Sequence, residues 1–286
     1  MSINDSSLKD TFNQIADRYD KCNALLSLGL HKRWYKKLID EVMEDIPIAG
    51  QDLTFGREIF SSGEARRLKT ALESYRNRAQ SQSEKDRDQT KILTRDGYNI
   101  STLLDLCCGT ATASMQYLKR REKPCQAFLV DFSEKMLHIA HHRAKSIEKH
   151  RLHFIQADVQ DLPLPSHSID AAILAFGIRN LKEMDVALKE VHRVLMPGAR
   201  FGILELTMPK WSPLRFLYRL YLRCVVSKLG GWISRNKKAY RYLADSIEAF
   251  MTPEELEEML HAFDFQVIKK KRLFFGVVTL IIAKAN

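Results

Sequence analysis

The stretch Leu103-Leu104-Asp105-Leu106-Cys107-Cys108-Gly109-Thr110-Ala111-Thr112 constrains the fold of this chain more than any other. Apolar residues around one aspartate predict a short buried strand, and small residues after it predict a tight turn. Ala113 to Arg121 then has the pattern of a helix. A strand that turns through small residues into a helix leaves backbone N–H groups free at the turn, where a cofactor can approach closely. It is not the dinucleotide fingerprint, because G-x-G-x-x-G cannot be written across it. Alone, such a junction serves equally well as a plain structural turn. The residues C-terminal to it decide the matter.

After the turn the chain alternates. Strand patterns at Gln126 to Val130, Leu152 to Gln156, Ile169 to Ala175 and Phe201 to Leu206 are interleaved with helical patterns at Ser133 to Glu148 and Lys182 to Leu195. Ser133 is placed to cap the first of these helices, and Pro197-Gly198 to stop the second. Such alternation builds an α/β fold, a doubly wound and mostly parallel sheet with helices on both faces. A helix at 252 to 263, with Thr252 as cap and Pro253 in its first turn, precedes two last strands at Phe265 to Ile268 and Val277 to Ile282. In sheets of this kind, ligands sit beyond the carboxyl ends of the strands.

The flanks differ from this core. Residues 7 to 46 carry helical apolar spacing (Leu8, Phe12, Ile15 and Tyr19, then Trp34, Leu38, Ile39, Val42 and Met43), broken at Gly29. They form an expected N-terminal helical cap, 1–50. Residues 51–98 hold 18 charged residues and the polar run Gln80 to Gln89, which predicts an inserted, solvated and partly disordered segment. The cofactor-binding core is then 99–207, a basic helical part 208–247, and a final helix with two strands 248–286, all one domain. The apolar runs are far short of the roughly 20 residues that cross a bilayer, and the polar N-terminus lacks a signal core. A soluble, cytoplasmic protein is expected. Five cysteines without a C-x-x-C pair give neither a disulfide framework nor a zinc site. His138, His141 and His142 share a helix face with no completing ligand and read as solvated, so no metal is expected.

The net charge is +10, and nine Lys/Arg with no Asp/Glu between Met208 and Arg241 account for nearly all of it. Arg215, Arg219 and Arg223 fall on one helix face; Leu214, Leu217, Tyr221 and Val225 fall on another. With Trp211 and Trp232 near its ends, this stretch reads as an interfacial element for anionic lipid, peripheral at the inner face of a membrane, or as a lid.

Distinctive groups collect at four strand ends. Asp105 lies on the first, Asp131 after the second, and Asp158-Val159 after the third. Phe176-Gly177-Ile178-Arg179-Asn180 follow the fourth. One such acid is usually a helix cap; three in order are not. The arrangement resembles that of the S-adenosylmethionine-dependent methyltransferases. Tyr19-Asp20, Asn23, Ser27, His31 and Trp34, then Arg193 to Phe201 with Leu204-Glu205, and Tyr240 to Ile247 narrow the resemblance to the quinone C-methyltransferases. The likeness runs from about Phe12 to Val278, apart from 51–98. This resemblance implies a Rossmann-like class I fold with a seven-stranded sheet, N-terminal helices and a helical lid.

It also implies roles. Asp105, Gly109 and Thr110 would bind the methionine side of S-adenosylmethionine, Asp131 its ribose, and Asp158-Val159 its adenine. Arg179 would stabilise the phenolate of a polyprenyl quinol, Asn180 would guide it, and Tyr19, Asp20 and His31 would close the pocket or relay a proton. The expected reaction is ring methylation of demethylmenaquinol, with the ubiquinone-pathway benzoquinol as the alternative. The block after the fourth strand is not that of the methyltransferases acting on base amines, so no nucleic acid is expected; a homodimer stays open. Ala111, Cys108, Ala175, Met196 and Ala199 depart from the family pattern, as does the lack of a histidine near Ile281.

Overall fold

A computed structural model describes residues 5–43, 101–145, 147, 149–230 and 236–286. The charged insertion expected at 51–98 and Trp232 fall outside the described residues. Seven strands form one sheet in the order β3-β2-β1-β4-β5-β7-β6. These are β1 (Ser101–Leu106), β2 (Cys125–Asp131), β3 (Arg151–Gln156), β4 (Ile169–Ala175), β5 (Leu195–Leu206), β6 (Phe265–Leu273) and β7 (Val278–Ala285). The pairings among β1 to β5 are parallel, and β7 runs antiparallel between β5 and β6. This is the doubly wound, mostly parallel sheet that the alternation predicts.

Helices cover both faces, and for that reason the central strands are almost continuously apolar. On one face pack α5 (Met184–Val194) and α8 (Pro253–Ala262), through Leu188, Val191, Leu256 and Leu260. On the other pack α2 (His31–Met43), α3 (Thr112–Leu118) and α4 (Glu134–Ala144), through Leu38, Val42, Leu118 and Leu137. A third apolar cluster joins α1 (Asp5–Leu26) to α6 (Ser212–Tyr221), its π-helical continuation Leu222–Gly230, and α7 (Lys237–Ala249). The capping expectations hold: Ser133 Oγ accepts from Met136 N, and Thr252 with Glu255 closes a full capping box.

Two strand boundaries move for physical reasons. β5 begins at Leu195 rather than Phe201. Ile169 pairs with Leu195 and Ala171 with Arg200, five steps on β5 against two on β4, so the turn residues Pro197-Gly198 bulge out while the ladder resumes. β6 continues past Ile268 through Lys269 to Arg272, a charged run that suits an edge strand. There Lys271 meets Glu41 at 2.9 Å and Arg272 meets Glu254 at 2.7 Å.

α2 lies directly on β5. A Cβ at Gly202 would land on Val42 Cγ2 and 2.8 Å from Leu38 Cδ1. Gly202→Ala is therefore expected to cost about 1–3 kcal/mol by overpacking, read as a fall in thermal midpoint. The added substitution Val42→Ala should restore most of it.

Candidate active site

The strand order reverses between β1 and β4, which opens a crevice at their carboxyl ends. Cys107 leaves β1 and Gly177 follows β4 so closely that a Cβ on Gly177 would lie 2.5 Å from Cys107 Cβ and 3.0 Å from its Sγ. Substituting alanine at Gly177 should push the loop after β1 aside, lowering cofactor affinity and costing about 1–3 kcal/mol. Cys107→Gly should rescue both, as titration calorimetry and thermal melts can read.

The loop itself is conformationally unusual. Cys107, Gly109 and Ala111 all have left-handed backbones, with φ of 50°, 53° and 56°. Ala111, the departure from a loop glycine, carries a fully buried methyl in that conformation. The strain of about 1–2 kcal/mol is offset in part by burial of the methyl, about 0.8 kcal/mol. Burial pushes the thiols of Cys107 and Cys108 well above their usual range, so both are neutral loop-lining groups.

Two cavities meet here. One, of about 250 Å³, is lined by Gly109, Asp131, Asp158, Val159, Gln160 and Asn180 among others. The other, of about 490 Å³, is strongly apolar and runs between α1, α2, α6 and α7, with Arg179 and His31 on its wall. Phe12, Tyr19 and Phe176 line both and form the partition between them.

The acids divide into two kinds. Asp131 Oδ2 accepts from Gly109 N and Oδ1 from Ser133 N, both at 2.8 Å. Burial raises its pKa to about 6 against those two hydrogen bonds. Each carboxylate oxygen keeps a further lone pair for a ligand hydroxyl. Asp158 also faces the cavity and accepts from Gln160 N at 2.9 Å. Asp105 does not line the cavity; it is buried beneath the loop, bonded to Ser114 Oγ, and burial pushes its pKa to about 7. Thr110 does not line it either: its hydroxyl donates to Asp20 Oδ1 at 2.8 Å and thereby ties α1 to the loop. Arg143, paired with the same Asp20, donates to Thr110 O at 3.2 Å. Asp105 and Thr110 thus support the loop from behind.

Arg179 and Asn180 are neighbours in sequence but face different cavities. Asn180 lines the polar cavity, and its Oδ1 accepts at 3.1 Å from Oη of Tyr242, which lines the apolar one. Arg179, on the apolar side, pairs with Glu205 at 2.6 Å and donates to Phe176 O at 2.7 Å, both from Nη1. The pair is buried, with side-chain exposures of 6% and 1%. Burial works against its charge, but Glu205 and Tyr19 raise its pKa, so Arg179 stays cationic. Its Nε has no partner among the described residues.

In the turn between α1 and α2, Ser27 Oγ donates to Asn23 O at 2.6 Å and lies 2.7 Å from His31 Nδ1. The single hydroxyl proton is therefore taken, so His31 donates from Nδ1 and its Nε2 is the acceptor. Burial, then Lys32, lowers the His31 pKa, which keeps the imidazole neutral. Burial raises the pKa of Tyr19, which stays a phenol. Glu205 and Tyr242 fall within segments quoted for the resemblance, but their place beside Arg179 and Asn180 has no sequence signal. Phe176 shows none either; a left-handed backbone, φ 59°, turns it into the partition.

The sequence profile of the ubiE/COQ5 methyltransferase family matches residues 1–60 and 80–284. The stretch it passes over, 61–79, is narrower than the segment 51–98 expected to lie outside the family. A demethylmenaquinone methyltransferase of Protochlamydia amoebophila is 37% identical over 272 residues, 94% of this chain and 91% of that protein. Its counterpart in Chlamydia pneumoniae is 33% identical over 280 residues, 98% and 96% of the two chains. That of Chlamydia felis is 34% identical over 285 residues, 99% and 98%. With this coverage, the chain belongs to the ubiE/COQ5 methyltransferase family.

Proposed function

We propose that the protein methylates a ring carbon of demethylmenaquinol, using S-adenosylmethionine. One observation carries the reading: a polar, acid-lined cavity and a large apolar one share the walls Phe12, Tyr19 and Phe176. A methyl donor and a polyprenyl acceptor need such a pair of compartments, one for each.

The polar cavity fits the donor. Gly109 leaves room where a Cβ would stand, 3.9 Å from the Tyr19 ring, and two carboxylates suit a cation bearing ribose hydroxyls. Asp131 would hold the ribose, Asp158 and Val159 the adenine, and the 107–111 loop the methionine end. Bound there, S-adenosylmethionine supplies an electrophilic methyl group. The residues on the apolar side prepare the nucleophile. His31 Nε2 can accept the quinol hydroxyl proton, Arg179 stabilises the phenolate that results, and Tyr19 as a neutral donor orients it. The apolar walls exclude water and hold the prenyl chain.

The test is incubation with labelled S-adenosylmethionine and each reduced quinol in turn. Label transfer to demethylmenaquinol is expected at a rate well above transfer to a 2-polyprenyl-6-methoxy-1,4-benzoquinol. The reverse preference, or transfer to neither, would reject the assignment.

A further inference from the structure

Among the described residues, ten large apolar side chains are exposed, and nine of them fall in three short segments. Leu25 and Leu28 lie at the α1–α2 turn. Trp211, Phe216, Leu217, Leu220 and Val225 lie along α6 and its continuation, and Phe274 and Phe275 form the β6–β7 turn. Hydrogen bonds tie the three segments together. Tyr221 Oη donates to Leu26 O at 2.6 Å, and Thr207, just before α6, bonds Val277 O at 2.9 Å and Gly276 O at 3.0 Å.

Leu28, Leu217, Val225 and Phe274 also line the apolar cavity, so the cluster forms the rim of its mouth. Trp211, Phe216, Leu220 and Phe275 line neither cavity and are exposed; Phe275 is 81% exposed. Phe274 and Phe275 hold left-handed backbones, φ 47° and 58°, a conformation unfavourable for bulky side chains that keeps both rings at this edge. The charge beside the rim is positive. Lys32, Arg33, Lys210, Arg219 and Arg223 are exposed; Lys210 pairs with Glu254, and Arg219 and Arg223 share Glu248. An apolar rim flanked by cations fits the interface of an anionic bilayer.

We infer that this rim docks on a lipid bilayer, with Trp211, Phe216, Leu220 and Phe275 entering the headgroup region and the cavity mouth opening into lipid. The identity of what enters the mouth rests on the quinol reading; the docking does not. Isolated basic residues on α6 would give only electrostatic adhesion, whereas the three-segment rim seals the cavity against the membrane. A substrate tail then passes from lipid to protein without crossing water.

The test is co-sedimentation of the full chain with phosphatidylcholine vesicles, with and without phosphatidylglycerol. Binding to both is expected, tighter to the anionic vesicles. The variant Trp211→Ser/Phe216→Ser/Phe275→Ser should lower the partition coefficient at least tenfold. Its circular dichroism and its turnover of a short-tailed, water-soluble quinol should be unchanged. Equal binding by variant and parent, or no binding by the parent, would overturn the inference. So would a parent dimer that the variant converts to monomer in the ultracentrifuge, since the rim would then cover a second copy of the chain. Vesicle binding without methylation of any quinol would reject the substrate and leave docking standing; methylation without vesicle binding would reject docking alone.

Discussion

Arg179→Ala is expected to lose stability and turnover together, and a second substitution should separate the two losses. Glu205 is almost fully buried, and removing its cation leaves an uncompensated charge in a site that excludes water. Breaking such a pair costs about 3–5 kcal/mol. Backbone donors soften this, since Leu206 N at 2.8 Å and Arg179 N at 3.3 Å also bond the Glu205 carboxylate. In Arg179→Met/Glu205→Gln the buried charges are gone, and most of the stability should return. Turnover should not return: one preorganised donor at a developing anion contributes roughly 10²–10³ in rate. A double variant that folds, binds cofactor and turns over near-normally would show that Arg179 serves only the fold. Thermal melts and single-turnover methyl transfer on the same samples decide between the outcomes.

Asp131→Asn should weaken cofactor binding by roughly 10–100-fold, about 1.4–2.8 kcal/mol. The side chain fastens the loops after β1 and β2 through Gly109 N and Ser133 N. An amide has one acceptor oxygen, so one buried N–H loses its partner, at about 1–3 kcal/mol. On the proposed reading, the charge that complements the donor's cation is lost as well. The same residue sets a pH dependence. Its folded pKa is raised to about 6, so the parent should gain affinity as pH rises from 5 to 7.5, by up to about tenfold. In Asp131→Asn the part of that slope centred near pH 6 should vanish.

Stability of the cofactor-free protein should move the opposite way. Burial raises both Asp131, to about 6, and Asp105, to about 7. Their contribution is full below the ordinary carboxylate pKa and is lost as pH rises through those values. The share of the melting temperature that these two acids supply should therefore fall across that window, against the opposite trend of the buried His153, whose pKa burial lowers to about 4, while cofactor affinity rises. Calorimetry and thermal scans from pH 4.5 to 8 would test the opposition.

Much of the core was legible because its signals are local. Strand and helix patterns, the Ser133 and Thr252 caps, and acids just past strand ends depend on neighbours in sequence. The β5 boundary was not, because a bulge at Pro197-Gly198 lets pairing skip and resume, which depends on β4. The basic stretch was legible as amphipathic, yet its arginines divide in the fold. Arg219 and Arg223 share Glu248, and Arg215 donates to Pro209 O at 2.9 Å. The apolar residues of the rim at 274–275 carry no such signal, since two phenylalanines between strands show no periodicity that would place them.

By itself the sequence determined the alternating α/β core, the glycine-poor loop after β1 and the ordered acids, which come from local spacing, and its motif blocks carried the family resemblance. The tertiary structure alone decided which of those residues face the polar cavity. Asp131 and Asp158 line the cavity, whereas Asp105 and Thr110 hold the loop from behind. It also placed Arg179 and Asn180 on opposite compartments and matched Arg179 with Glu205, 26 residues away. Such pairings are set by strands adjacent in the sheet, and β4 and β5 come together only once α5 has crossed between them.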